Sequence, residues 1–135
     1  MEQKTRSHSG SLLLELMLAI LIFALSASVC VQVFVKAHQM SAQAQALSQS
    51  VRHCSSAGEI LRQAPSREEG LQLLKQCYPQ LEIGPASAQA DLEGQTIQIH
   101  WTQKDGLVCY TIACQDPGGS QIYSLEILAL EEVQP

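Results

Sequence analysis

The feature that most constrains this chain is an apolar run from Leu12 to Val35, 24 residues in which only Glu15, Ser26, Ser28 and Gln32 are polar. Coiled as an α-helix it would reach roughly 36 Å at ~1.5 Å per residue, enough to cross a hydrocarbon core of about 30 Å. A helix that is greasy on every side needs lipid or protein around its whole circumference. The run therefore sets part of the chain apart. About 100 residues are left for an independent domain, whose modest core would gain from a covalent staple.

That remainder is polar and acidic. From Lys36 onward there are 11 acidic and 6 basic residues, an excess of five negative charges. A nucleic-acid groove needs clustered Lys and Arg to displace counterions, and no compact basic patch stands in the sequence. The acidic balance is that of a solvated surface.

Before the run lies a short segment, Met1 to Gly10, with Lys4 and Arg6 set against Glu2. Positive charge ahead of a first hydrophobic helix keeps that end cytoplasmic, so the rest of the chain is expected outside the cytoplasm. Glu15 is the anomaly within the run. An ionised carboxylate costs on the order of 2.5 kcal/mol or more at the centre of a membrane and less towards its surface. It either snorkels to the interface or meets a cation, and the run itself supplies none.

Gly10-Ser11-Leu12-Leu13-Leu14-Glu15, followed by Leu16-Met17-Leu18-Ala19-Ile20-Leu21-Ile22, resembles the class III signal of type IV prepilins and pseudopilins. The resemblance covers about 25 of the 135 residues. It implies that prepilin peptidase cuts between Gly10 and Ser11 on the cytoplasmic face, where the family's new terminus is also N-methylated. The hydrophobic helix stays in place. Glu15 then pairs with the N-terminal amine of a neighbouring subunit, which makes the buried charge tolerable by assembly. The implied partners are other pilin subunits in a hetero-oligomeric filament, prepilin peptidase and the cytoplasmic membrane. The filament would serve secretion, DNA uptake, adhesion or motility. Ser11 stands where phenylalanine is usual, Leu12 where threonine is common, and Gln32 where many major pilins carry a helix-kinking proline. These departures lean towards a minor pilin or pseudopilin. The corresponding division is a leader over residues 1–10, an assembly helix over 11–35 and an extracytoplasmic head over 36–135.

The same segment admits two rivals. In a secretory signal peptide, Ser11 to Leu25 would be the apolar core and Ser26-Ala27-Ser28 the cleavage site. Glu15 within that core, and apolar residues continuing to Val35, weigh against it. In the other, the run is an uncleaved anchor. Either would leave a ligand-binding module outside the cytoplasm, acting through its sheet or the Gly84–Gly94 loop, with no filament role.

Beyond Lys36, Met40, Ala44, Leu47, Val51, Cys54, Gly58 and Leu61 recur every three or four positions, and no proline intervenes before Pro65. One helix from Ser11 to about Ala64 is expected, hydrophobic all round in its membrane half and amphipathic in the other. Ser66-Arg67-Glu68-Glu69 reads as a capping box opening a short helix that Pro79 ends. Residues Gly84 to Gly94 read as a loop. From Gln95 the period changes to two, with Ile97, Ile99 and Trp101 alternating against Gln98, His100 and Thr102. Turns at Gln103–Gly106 and Asp116–Gly119 would separate this strand from Leu107–Cys114 and from Gln121–Leu130. The expected fold is α+β: a long N-terminal helix packed on a small antiparallel sheet.

Of the five cysteines, Cys30 lies in the apolar run and reads as a filler. Cys54, Cys77, Cys109 and Cys114 are candidates for disulfides, which persist outside the cytoplasm. Cys109 and Cys114 are an odd number of positions apart on one strand, face opposite sides and should not pair. Four cysteines allow three pairings, with buried free thiols as the alternative; a Cys54–Cys77 bridge would tie the long helix to the short one. No Cys-x-x-Cys pair suggests a metal, and His8, His38, His53 and His100 are scattered. Cys109 and His100 could meet across a hairpin by chance. No nucleophile elbow or phosphate loop is present, so neither an enzyme nor a cofactor is expected.

Overall fold

A computed structural model describes the backbone of residues 3–131 and the side chains of residues 9–131. The leader charges on Glu2, Lys4 and Arg6, and the side chain of His8, lie outside the described residues. The elements run α1 (Gln3–Gln63), α2 (Arg67–Cys77), β1 (Glu82–Ile83), β2 (Ser87–Leu92), β3 (Gln95–Lys104), β4 (Leu107–Gln115) and β5 (Gln121–Leu130). The chain divides into two compact units, residues 1–43 and 44–135, with α1 passing from one into the other.

In the first unit α1 is exposed on all sides. Every large apolar side chain from Leu12 to Val35 shows between 49% and 76% of its surface. This helix is long and apolar enough to cross a membrane. It begins at Gln3 rather than at Ser11. No proline stands in that segment, and a single Gly10 costs a helix only about 1 kcal/mol.

The second unit is the expected α+β fold. The sheet is antiparallel throughout, in the order β1-β2-β3-β4-β5. Its inner face is set by alternation: Ile97, Ile99 and Trp101 from β3 and Val108, Tyr110, Ile112 and Cys114 from β4 are all buried. They form one core with Cys54, Ala57 and Leu61 of α1 and Leu71 and Leu74 of α2. The buried face of α1 is Ser50, Cys54, Ala57, Gly58 and Leu61. Ala44, Leu47 and Val51 of the expected stripe are exposed instead, so within this unit the stripe meets the sheet only from Cys54 onward. Gly58 allows the approach there, since a Cβ on it would lie 3.3 Å from Leu125 Cδ2.

A tight turn fixes the register of β3 against β4, and a side-chain cap starts α2. Asp105 (φ 54°) and Gly106 (φ 78°) both adopt positive φ between the paired Lys104 and Leu107, the requirement of a type I′ hairpin turn. Ser66 caps α2, its Oγ accepting from the Glu69 N–H at 3.4 Å.

The segment read as a Gly84–Gly94 loop is a correction. It contains β2, whose Ala88 and Ala90 are buried and whose residues pair with β3 from Ser87↔His100 to Leu92↔Gln95. Alanine and serine carry little strand propensity, and pairing with β3 overrides it. The sheet accordingly has five strands where the alternation had marked three.

Candidate functional site

Two places hold side chains that need a partner. The first is the N-terminal half of α1. Gly10 and Ser11 are exposed helical residues, and a Cβ built on Gly10 meets nothing within 4 Å, so the backbone there is open to approach. Glu15 is exposed one turn further on, with Leu12, Leu13, Leu14, Leu16 and Met17 around it. Ser26, one of the few polar residues in the run, turns its hydroxyl inward and donates to the Ile22 carbonyl at 2.9 Å. Such back-bonding removes the hydroxyl from any apolar surroundings.

The second is a polar and sulfur cluster inside the 44–135 unit. Ser50 is wholly buried, one turn before Cys54 on the inner face of α1. Its hydroxyl lies 2.9 Å from the Ala46 carbonyl and 2.8 Å from Gln95 Oε1, and Gln95 Nε2 donates to the same carbonyl at 2.9 Å. A buried amide and a buried hydroxyl thus satisfy one another. One turn along, Cys54 Sγ and Cys114 Sγ approach to 3.1 Å, with 0% and 1% of their surfaces exposed. The Cys114 thiol also lies 3.7 Å from the Ser50 carbonyl. The hydrogen bond from Cys54 holds Cys114 below the ordinary thiol range, against the opposing effect of burial. The same hydrogen bond, together with burial, pushes Cys54 up. Cys114 is therefore the member that ionises first, and Cys54 keeps the shared proton.

No disulfide joins the cysteines in this structure, and of the pairings the sequence left open it brings Cys54 against Cys114 and not against Cys77. Cys77 is exposed at the end of α2, whereas Cys54 faces the sheet and meets Cys114. The opposite facing of Cys109 and Cys114 holds: Cys109 is half-buried on the outer side of β4 and Cys114 is inside. Cys109 pairs with Thr102, and His100 pairs with Thr111 two positions along, so Cys109 and His100 are diagonal neighbours without an oriented base–nucleophile contact. Cys30 is exposed on α1.

His53, beside Cys54 in sequence, turns away and lies 3.3 Å from the Tyr78 hydroxyl, linking α1 to the end of α2. Burial raises the Tyr78 phenol above its ordinary range. A surface cleft of about 330 Å³ lies nearby, lined by Gln49, Arg52, His53, Leu92, Glu93 and Gln95. It presents no nucleophile with a base behind it. Among the described residues no three His, Cys, Asp or Glu side chains converge as a metal site would require.

Ser50 and Gln95 were not singled out in the sequence, although a signal existed for each. Ser50 precedes Cys54 by four positions on a helix, and Gln95 shares the parity of Ile97, Ile99 and Trp101 on a strand. Comparison of the chain with protein-family models, with curated proteins and with solved structures found no match.

Proposed function

We propose that this chain is a minor pilin or pseudopilin, processed between Gly10 and Ser11 and assembled through its N-terminal helix into a membrane-anchored filament. One observation carries the reading: an exposed apolar helical surface from Leu12 to Val35 whose single formal charge, Glu15, stands five residues beyond a glycine. Such a surface is unfavourable in water by about 25 cal/mol per Å², so it requires lipid or other helices around it. A single-pass orientation with the head outside the cytoplasm provides lipid before assembly, and neighbouring subunits provide helices after it. Cleavage after Gly10 creates an α-amine at Ser11, and the same residue of a neighbouring subunit supplies the cation that Glu15 lacks. The pair is worth more in a helix bundle than in water because the surrounding dielectric is low.

On this reading the 44–135 unit acts as a structural head that presents the outer face of its sheet and its turns to other subunits, and the chain has no catalytic role. The experiment that tests it is the N-terminal mass of the mature protein, recovered from membranes of cells with an active prepilin peptidase. A chain beginning at Ser11, and lost when Gly10 is replaced, is the expected result. A start near Ser28 or Val29 would establish ordinary secretion, and retention of Met1 or Glu2 a simple anchor. Either would overturn the filament role.

A further inference from the structure

We propose that Cys54 and Cys114 form an intramolecular disulfide that fastens the C-terminal part of α1 to β4. Its formation in the cell rests on the reading that the head lies outside the cytoplasm; the pairing itself rests on geometry alone.

The two sulfurs are 3.1 Å apart, about 1 Å more than the ~2.05 Å of an S–S bond. Each is delivered by a regular element. Cys54 lies on the helical face that includes Ser50, Ala57, Gly58 and Leu61, and Cys114 lies on the strand face that includes Val108, Tyr110 and Ile112. The register of β4 against β5 shifts at Cys114/Gln115, so the regular ladder ends at the position of Cys114. The surrounding core is apolar apart from the Ser50–Gln95 pair, so loss of two thiol protons leaves no buried donor or acceptor stranded. The other cysteines are unlike these two: Cys30 and Cys77 are exposed and Cys109 is half-buried on the opposite sheet face.

The chemistry is thiol–disulfide exchange with a disulfide of the compartment, either a small-molecule disulfide or that of a protein oxidant. One thiol of the pair, as its thiolate, attacks one sulfur of the oxidant, forming a mixed disulfide and expelling one thiolate. The other gives up its proton and attacks the sulfur of its partner cysteine in the mixed disulfide, and the second oxidant thiolate leaves. Two protein thiols are thereby oxidised by two electrons, the oxidant is reduced to two thiols, and the two protein protons go to its sulfurs. Neither sulfur reaches solvent in the folded head, so exchange takes place before α1 closes on the sheet, or through local opening. Once formed, the bond is shielded by the same burial from reductants.

The test uses the full-length chain in detergent with Cys30→Ser, Cys77→Ser and Cys109→Ser, substitutions that leave the buried pair intact. It is refolded from denaturant with glutathione disulfide, then labelled under denaturing conditions with a thiol-reactive polymer. The expected result is no label before reduction and two labels after it. Dithiothreitol should open the bond on the order of 100-fold more slowly in the native protein than in denaturant. Two labels before reduction would overturn the proposal, as would opening at equal rates in the two conditions. The unsubstituted chain, alkylated as membranes are harvested and digested with trypsin, should give the peptide His53–Arg62 linked to the peptide that begins at Asp105, with fragmentation placing the link on Cys114. A link to Cys77 or Cys109 in its stead would overturn the pairing. A bond that forms on refolding but is absent from membrane-derived protein would sustain the pairing and sink the extracytoplasmic placement.

Discussion

Ser50 on α1 and Gln95 at the start of β3, 45 positions apart, hold each other at 2.8 Å inside the head, and Gln95 returns its amide to the Ala46 carbonyl one turn below Ser50. This polar clasp fixes which turn of the helix lies against the first residue of the central strand. One turn along, the same alignment brings Cys54 to Cys114.

Replacing Ser50 by Ala strands Gln95 Oε1 in a buried site, and an unmet buried acceptor costs about 1–3 kcal/mol. The expected result is a melting temperature lower by several degrees, read by circular dichroism. The double change Ser50→Ala with Gln95→Leu removes both partners and should cost less than the sum of the two single changes. Additive losses would show that the two side chains do not act as a unit.

Gly58 sits where α1 crosses the sheet, with Leu125 Cδ2 at 3.3 Å and Ile112 and Ile127 Cδ1 at 3.7 Å from the position of a Cβ. Gly58→Leu would drive a branched side chain into all three. A loss of about 1–3 kcal/mol in unfolding free energy is expected from a urea titration, and an unchanged midpoint would contradict the close packing.

Tyr110 supplies a pH dependence whose sign follows from its burial. Burial raises the phenol above its ordinary value of 10.0, with Arg67 opposing and Glu131 reinforcing the shift. The native state holds this proton more tightly than the unfolded chain does, so the contribution is whole below pH 10 and is lost as the pH climbs through the native value. Denaturation midpoints measured between about pH 8 and 11 should fall more steeply for the unaltered chain than for Tyr110→Phe. Parallel curves would remove Tyr110 as the cause.

In the proposed filament role Glu15 acts in assembly and not in the head. Glu15→Ala should leave cleavage between Gly10 and Ser11 intact, leave the unfolding of the head unchanged, and exclude the chain from filaments. The check is the fraction of processed protein recovered in sheared filament preparations alongside unaltered subunits. Normal incorporation would sink the proposed salt bridge.

The proposed Cys54–Cys114 disulfide should stabilise the head. A cross-link spanning 60 positions removes loop entropy worth about 4 kcal/mol from the unfolded chain. Oxidised protein should therefore unfold at a distinctly higher urea concentration than protein refolded with reductant, by the same circular dichroism signal. Coincident curves would show that the bond is absent or strained.

By itself the sequence determined the local elements. The uninterrupted apolar and then amphipathic run specified α1, Ser66 specified the start of α2, and the alternation through Ile97, Ile99 and Trp101 together with Asp105-Gly106 specified the β3–β4 hairpin. These signals are legible because each arises within a few residues of chain, from one period or one turn geometry. The apolar exposure of residues 12–35 was legible for the same reason, since no amphipathic pattern offered a buried side.

Tertiary structure alone decided what meets what. Ser87–Leu92 is a strand because β3 presents it with a pairing edge, although its own residues favour a loop. Within the head, the exposure of Leu47 and Val51 and the burial of Ser50 depend on how far along α1 the sheet reaches. Cys54 meets Cys114 rather than Cys77 because the inner face of the helix opposes β4, while the end of α2 turns Cys77 outward. Periodicity assigns a residue to a face, but a face has many possible partners. The choice among them is made by packing one element's surface against another's, at separations in the chain that no local pattern spans.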